Sequence, residues 1–249
     1  MRTRFDFKPI PASIIAEQWY CEKAVDLSFR YPNIVFPSEE MSFGTIGHEV
    51  AFSEAEVLTE QEIKILIKSG KAISLAETPF SGTFQGLAIK GYPDYVEFRQ
   101  GKALLLLDFK FSRYRRVFPS QRIQVDIYGY LLNKNHLDTE GLICGIMVMS
   151  PEFSVVDQTD LIASEARKLA SKLRRENWER VDLQGDPDLY GELYPFSLNS
   201  AKKNLSWAMG YWAKKRAPRP TTRAYKCKAC SFNAAGKCRA ALTAPKKNR

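Results

Sequence analysis

The chain has 249 residues, room for one large domain or a core domain with a small appendage. Apolar residues make up 45% and aromatics 12%, enough to bury a sizeable core. The formal charge is +9 and unevenly placed, because residues 214–249 hold twelve Lys and Arg and no Asp or Glu. That excess points to a polyanionic partner, nucleic acid above all, with a solvated basic tail as the plain alternative. No stretch approaches the roughly 18 uninterrupted apolar residues of a membrane span, which excludes a helical membrane protein. The opening Met1-Arg-Thr-Arg-Phe-Asp-Phe-Lys8 lacks the apolar centre of a signal peptide. The expectation is a cytoplasmic protein with no membrane partner.

Residues 12–30 read as a helix, with Ala12, Ile15, Ala16 and Trp19 at helical spacing and Pro32 ending it. A second helix runs from Ser42 to about Glu54 and carries His48. The capping box Thr59-Glu-Gln-Glu62 opens a third, with Ile63, Leu66 and Ile67 on one face. Strand patterns follow over 73–80, 83–90, 92–98 and 103–109, separated by Ser81-Gly82, Gly91 and Gln100-Gly101-Lys102. The run Ala103-Leu-Leu-Leu-Leu107 marks a strand buried on both faces, hence central.

Pro119-Ser120 opens a helix to about residue 133, with Ile123, Ile127 and Leu131 as its core stripe. Residues 142–149 read as a strand, and 159–177 and 199–215 as helices, the last ended by Pro218-Arg-Pro220. There is no internal repeat, and residues 150–200 carry the weakest signal. This order predicts an α/β fold with a mixed central sheet flanked by helices. It divides into an N-terminal helical region (1–80), a core (81–150), a helical extension (151–215) and a basic, Cys-rich end (216–249).

The chemistry concentrates in Pro93-Asp94 and Asp108-Phe109-Lys110. The spacing predicts a hairpin whose three-residue loop, centred on Gly101, sets Asp94 opposite Asp108. Opposed Cβ atoms lie about 4.5–5.5 Å apart. Two carboxylates so close repel unless a cation lies between them, and Mg²⁺ or Mn²⁺ prefers such oxygen ligands. The Phe109 backbone carbonyl is a candidate further ligand. Lys110 shares a strand face with Asp108 and can neutralise charge developing on a phosphate or hold water as hydroxide. The pattern suits phosphodiester hydrolysis. An Asp-x-Lys by itself is also a common surface ion pair.

His48, after Gly44-Thr-Ile-Gly47, is a candidate transition-metal ligand, although a lone helical His is more often structural. Gln124 and Tyr128 share a face of the helix after Lys110, where an amide could orient water and a phenol could bond a phosphate. Arg113, Tyr114, Arg115, Arg116 and Arg122 could grip a DNA backbone and stack a base.

Five cysteines in a chain expected to be cytoplasmic argue against a disulfide framework. Cys227, Cys230 and Cys238 lie within twelve residues and need a fourth ligand. Cys21 suits that role better than Cys144, whose apolar run reads as core. The bond would close a loop of more than 200 residues. A solitary fourth thiolate favours an iron–sulfur cluster, and zinc remains the alternative.

Trp19-Tyr-Cys21-Glu22, Gly44-x-x-Gly-His48, Gly91-Tyr-Pro-Asp94, Asp108-Phe-Lys110, Gln124-x-x-x-Tyr128 and the Cys227-x2-Cys230-x7-Cys238 end together resemble the CRISPR-associated RecB-like exonucleases, the Cas-four family of the PD-(D/E)-x-K superfamily. They are similar too to the nuclease domains of the AddB subunit and the Dna-two helicase. Asp108 stands where the family often has Glu. The resemblance implies a restriction-endonuclease-like core with an iron–sulfur region joining the two ends of the chain. It implies His48, Asp94, Asp108 and Lys110 as the metal-binding and catalytic set, Gln124 and Tyr128 as accessory residues, and Cys21, Cys227, Cys230 and Cys238 as ligands of a [4Fe–4S] cluster. The implied activity is a Mn²⁺- or Mg²⁺-dependent exonuclease acting on single-stranded DNA or overhangs. The implied context is CRISPR spacer acquisition with integrase partners, or DNA repair.

Overall fold

The computed structural model describes residues 3–34, 60–150, 159–183 and 188–243. In chain order, a turn of 3-10 helix at Arg4–Asp6 precedes β1 (Ile10–Pro11), α1 (Ala12–Arg30) and α2 (Glu60–Lys68). Then come β2 (Ile73–Ala76), β3 (Phe80–Phe84), β4 (Leu87–Gly91), β5 (Tyr95–Arg99) and β6 (Lys102–Phe111). The helix α3 (Pro119–Lys134) and β7 (Ile143–Met149) precede α4 (Thr159–Glu176), β8 (Val181–Leu183) and β9 (Leu189–Pro195). The chain closes with α5 (Leu198–Trp212) and two short helices, α6 (Ala224–Lys228) and α7 (Ser231–Ala234). The helix expected over 42–54 and the capping residue Thr59 lie outside the described residues.

The main sheet is mixed, in the order β2-β5-β6-β7-β9-β8. Its β6 and β7 run parallel, with α3 in the crossover, and the other neighbours are antiparallel. A smaller sheet, β1-β4-β3, lies beside it. Every residue of β7 is buried, as a strand covered on both faces requires.

One face of β6 packs Leu106 into a core with Ile15 of α1, Ile127 and Leu131 of α3, and Leu205 of α5. The opposite face sends Leu105, Leu107 and Phe109 against the Ile162, Ala166, Ala170 and Leu173 stripe of α4. Asp108 and Lys110 alternate with this second set, so they point to the face that carries α1 and α3.

Three expectations are corrected. The segment 83–90 is two strands, broken at Gln85 (φ 50°) and Gly86 (φ 77°), the paired left-handed conformation of a tight hairpin turn. Gly91 ends β4 instead of making the turn, because its bare Cα lies against the Tyr128 ring. Residues 181–195, read without strands, supply β8 and β9, which extend the sheet beyond β7. Among the described residues no helix is long and apolar enough to cross a membrane.

Candidate active site and cysteine recess

Asp94 lies on the short connection just before β5, not within a strand as expected, because the Pro93 ahead of it holds the chain out of the ladder. Its Oδ2 accepts the backbone N–H of Phe109 at 2.5 Å. That bond fixes the carboxylate beside Asp108, and Asp94 is only 4% exposed. Asp108, on β6, is wholly buried. The Lys110 ammonium stands 2.8 Å from Asp108 Oδ2.

The helix α3 closes the site from above the sheet. The Gln124 amide nitrogen donates to Tyr128 OH at 2.6 Å and reaches Asp108 Oδ1 at 3.4 Å. The five side chains Asp94, Asp108, Lys110, Gln124 and Tyr128 therefore form one contiguous group. Burial pushes the Tyr128 hydroxyl well above its ordinary pKa, and the Asp108 and Asp94 charges add to that, so it stays a proton donor. Burial disfavours the Lys110 ammonium, but Asp108, Asp94 and Glu77 outweigh it and raise the pKa, so this lysine is cationic.

Glu77 is a residue that the sequence reading missed. It lies on the β2–β3 connection with a left-handed backbone (φ 48°), and its N–H meets the Asp94 carbonyl at 3.4 Å. Its charge acts on both Lys110 and Tyr128. No periodicity or motif marks it, because it joins the site only through the fold.

Do these residues suit a divalent ion? Asp108 Oδ2 is buried without a well-oriented hydrogen bond and faces the Lys110 charge alone among the described residues. Two buried carboxylates, one with an oxygen so exposed to a neighbouring cation, suit an oxygen-preferring metal. Among the described residues no three His, Cys, Asp or Glu gather into a metal-holding group. The expected third ligand, His48, lies outside them.

The arginines before α3 are differently placed. Arg113 and Tyr114 are exposed, and the Arg116 guanidinium lies over the Tyr114 ring at 5.5 Å and the Phe118 ring at 4.6 Å. Arg115 donates to the Leu189 carbonyl at 3.3 Å. Arg122 is ion-paired with Glu192, which compensates its charge locally.

Cys21, Cys227, Cys230 and Cys238 line one recess, together with Tyr20, Lys226 and Asn233. All five cysteines are free, and Cys144 is apart from the recess, buried in the main core. The recess exists because α1 breaks at Cys21 (φ −166°, ψ 107°). The C-terminal segment fills the break: the Lys23 N–H donates to the Arg219 carbonyl at 3.0 Å, and the Arg219 N–H to the Glu22 carboxylate at 2.7 Å. Arg216 adds a two-pronged ion pair to the same buried Glu22. Burial raises the Cys238 pKa, and the neighbouring thiols Cys230, Cys21 and Cys227 raise it further. Four sulfurs around one recess are a suitable donor set for a cluster or zinc.

No protein-family model matches the chain, and no curated protein matches it. Among solved structures the chain is similar to SSO0001, a Sulfolobus protein, in its crystal structure. The likeness covers 94% of this chain and 87% of that one, at 16% identity and a TM-score of 0.49.

Proposed function

We propose that this chain is a divalent-metal-dependent DNA nuclease with a PD-(D/E)-x-K core, acting on single-stranded DNA or overhangs. The convergence of Asp94, Asp108 and Lys110 beneath Gln124 and Tyr128 carries this reading. Asp94 and Asp108, with His48, would hold Mn²⁺ or Mg²⁺. When bound, the ion would supply Lewis-acid polarisation of a phosphate oxygen and acidify water. The chain's own groups do the rest. The Lys110 ammonium neutralises charge growing on the scissile phosphate. Gln124 anchors Tyr128 through the phenol oxygen, which turns the phenol proton toward another acceptor, such as a phosphate oxygen. The buried setting keeps bulk water from screening these charges.

The same reading assigns Cys21, Cys227, Cys230 and Cys238 to a [4Fe–4S] cluster that ties α1 to the C-terminal segment. Spacer acquisition alongside integrase proteins, or DNA repair, is the proposed setting.

The test is degradation of end-labelled single-stranded DNA with Mn²⁺, with iron and zinc assayed on anaerobically purified protein. Cleavage that needs the ion and disappears in Asp108→Ala supports the reading. DNA binding without cleavage under any metal would instead identify a non-catalytic subunit, and zinc without iron a zinc-stabilised module.

A further inference from the structure

A groove of about 900 Å³ runs between α1, the first turn of α3, α5 and the segment 219–226. Its floor is aromatic. The Trp19 and Trp207 rings meet at 4.6 Å, tilted by 58°. Phe118 and the exposed Tyr225 stand on its walls.

The exposed charge lining the groove is positive. Arg219, Arg223 and Lys226 line it. The only carboxylate on the lining among the described residues is Glu22, which is 1% exposed and already bound by Arg216 and the Arg219 N–H. Arg216 is in turn stacked over Trp207 at 4.7 Å, so the aromatic floor is held rigid. Cations along a rim above fixed aromatic faces are what an unpaired polynucleotide needs: phosphates on the rim and bases on the rings. A duplex keeps its bases stacked inside and cannot use such faces.

The groove also lies close to the candidate active site. Ser120, on its lining, is one helical turn before Gln124, roughly 6 Å along the axis of α3. We infer that this groove takes the unpaired end of a DNA strand and leads it to the Asp94, Asp108 and Lys110 centre, with phosphates on Arg219 and Arg223 and bases against Trp19, Trp207 and Tyr225. The inference rests on the nuclease reading for its direction, while the binding itself needs no catalysis.

The experiment measures anisotropy of a labelled oligodeoxythymidine with the full chain, cluster intact, in EDTA over a range of salt. The Arg219→Ala, Arg223→Ala double variant should weaken binding about tenfold, and the slope of log Kd against log salt should fall by about 1.4. Lysines at both positions should restore most of the affinity. Tyr225→Ala should weaken binding about fivefold or more and leave the salt slope unchanged. The Lys168→Ala, Lys172→Ala double variant, on α4 over the opposite face of the sheet, serves as the charge-matched control and should bind like wild type. Wild-type affinity in the groove variants, or a blunt duplex bound as tightly as the single strand, overturns the inference. A chain that binds oligodeoxythymidine through this groove and cleaves nothing with Mn²⁺ removes the nuclease reading and keeps the groove.

Discussion

Tyr95, the residue after Asp94, pairs with Leu107, the residue before Asp108, because β6 carries one residue more than β5 between the turn and the site. Arg99 pairs with Lys102 and Phe98 with Ala103 around the two-residue turn Gln100-Gly101; beyond the bulge Glu97 pairs with Leu105 and Tyr95 with Leu107. The extra residue is Leu104, whose carbonyl accepts from Arg174 at 2.7 Å. Without it Asp94 would come level with Leu107, which points to the other face.

The bond from Phe109 to Asp94 has a measurable consequence. Asp94→Ala leaves a buried N–H unpaired, at a cost of about 1–3 kcal/mol. Asp94→Asn keeps an acceptor and should recover most of that stability while still losing at least about a hundredfold in Mn²⁺-dependent cleavage. Urea melts of both variants, beside cleavage rates, check the split; equal stability in the two would break the argument.

Lys110→Met strands the Asp108 carboxylate in the core. Losing one partner of a buried pair costs about 3–5 kcal/mol. The raised Lys110 pKa means that the pair's stabilisation is complete at neutral pH and declines only as strongly alkaline conditions deprotonate the folded lysine. The stability gap between variant and wild type should therefore stay constant from about neutral pH to about pH 9 in thermal melts. Mn²⁺ should raise the melting temperature of the variant more than that of wild type.

A Cβ at Gly91 would meet the Tyr128 ring at 2.6 Å. Gly91→Ala should push the phenol away from Gln124, cost about 1–3 kcal/mol and reduce cleavage. The combination with Tyr128→Ala, which empties the space, should be no less stable than Tyr128→Ala alone and should not restore activity. Tandem melts and rate measurements would expose a purely steric role if activity returned.

The cysteines should separate cleanly. Cys227→Ser removes a buried member of the recess and should abolish visible absorption, with a large fall in melting temperature. Cys144→Ala deletes one buried sulfur from the main core and should cost about 1 kcal/mol, with the absorption spectrum retained. Cluster loss in the Cys144 variant would refute the assignment.

Asp126 offers a pH test away from the site. Burial pushes its pKa up to about 7, against the opposing pull of the Tyr194 hydrogen bond and the Arg122 charge. The folded chain thus keeps a proton that the unfolded chain sheds above its ordinary value, and stability falls as pH rises from about 4 to 7. Asp126→Asn should be neutral near pH 4 and stabilise by a few kcal/mol, roughly, above pH 7. An unchanged pH dependence of melting in the variant would contradict this.

Much of the molecule was legible from local pattern. The bounds of α1 matched the reading to the residue, and those of α3 and β7 to within one. Asp108 and Lys110 share a face, as period two demands. A three-residue loop and a two-residue turn with one bulge give the same pairing sum, so the expected register holds for Tyr95 and Leu107, although Asp94 itself lies outside the ladder. Two errors in loop and strand shape cancelled there.

What the chain alone determined is its periodicity: apolar stripes every three to four residues on α3 and α4, the doubly buried β6 and β7, and acids and lysine at fixed strand spacing. These follow from neighbours within a turn or a pleat. Tertiary structure decided the rest. The strand β9 hides behind Gly191 and Glu192, and Glu192 is tolerated inside because Arg122 reaches it from α3 and the Tyr190 hydroxyl donates to it. Glu77 enters the site, and Arg216 finds Glu22 across 194 positions, through contacts that no local window contains. Such pairings cost loop-closure entropy and repay it only when the whole core assembles, so no short stretch of sequence can announce them.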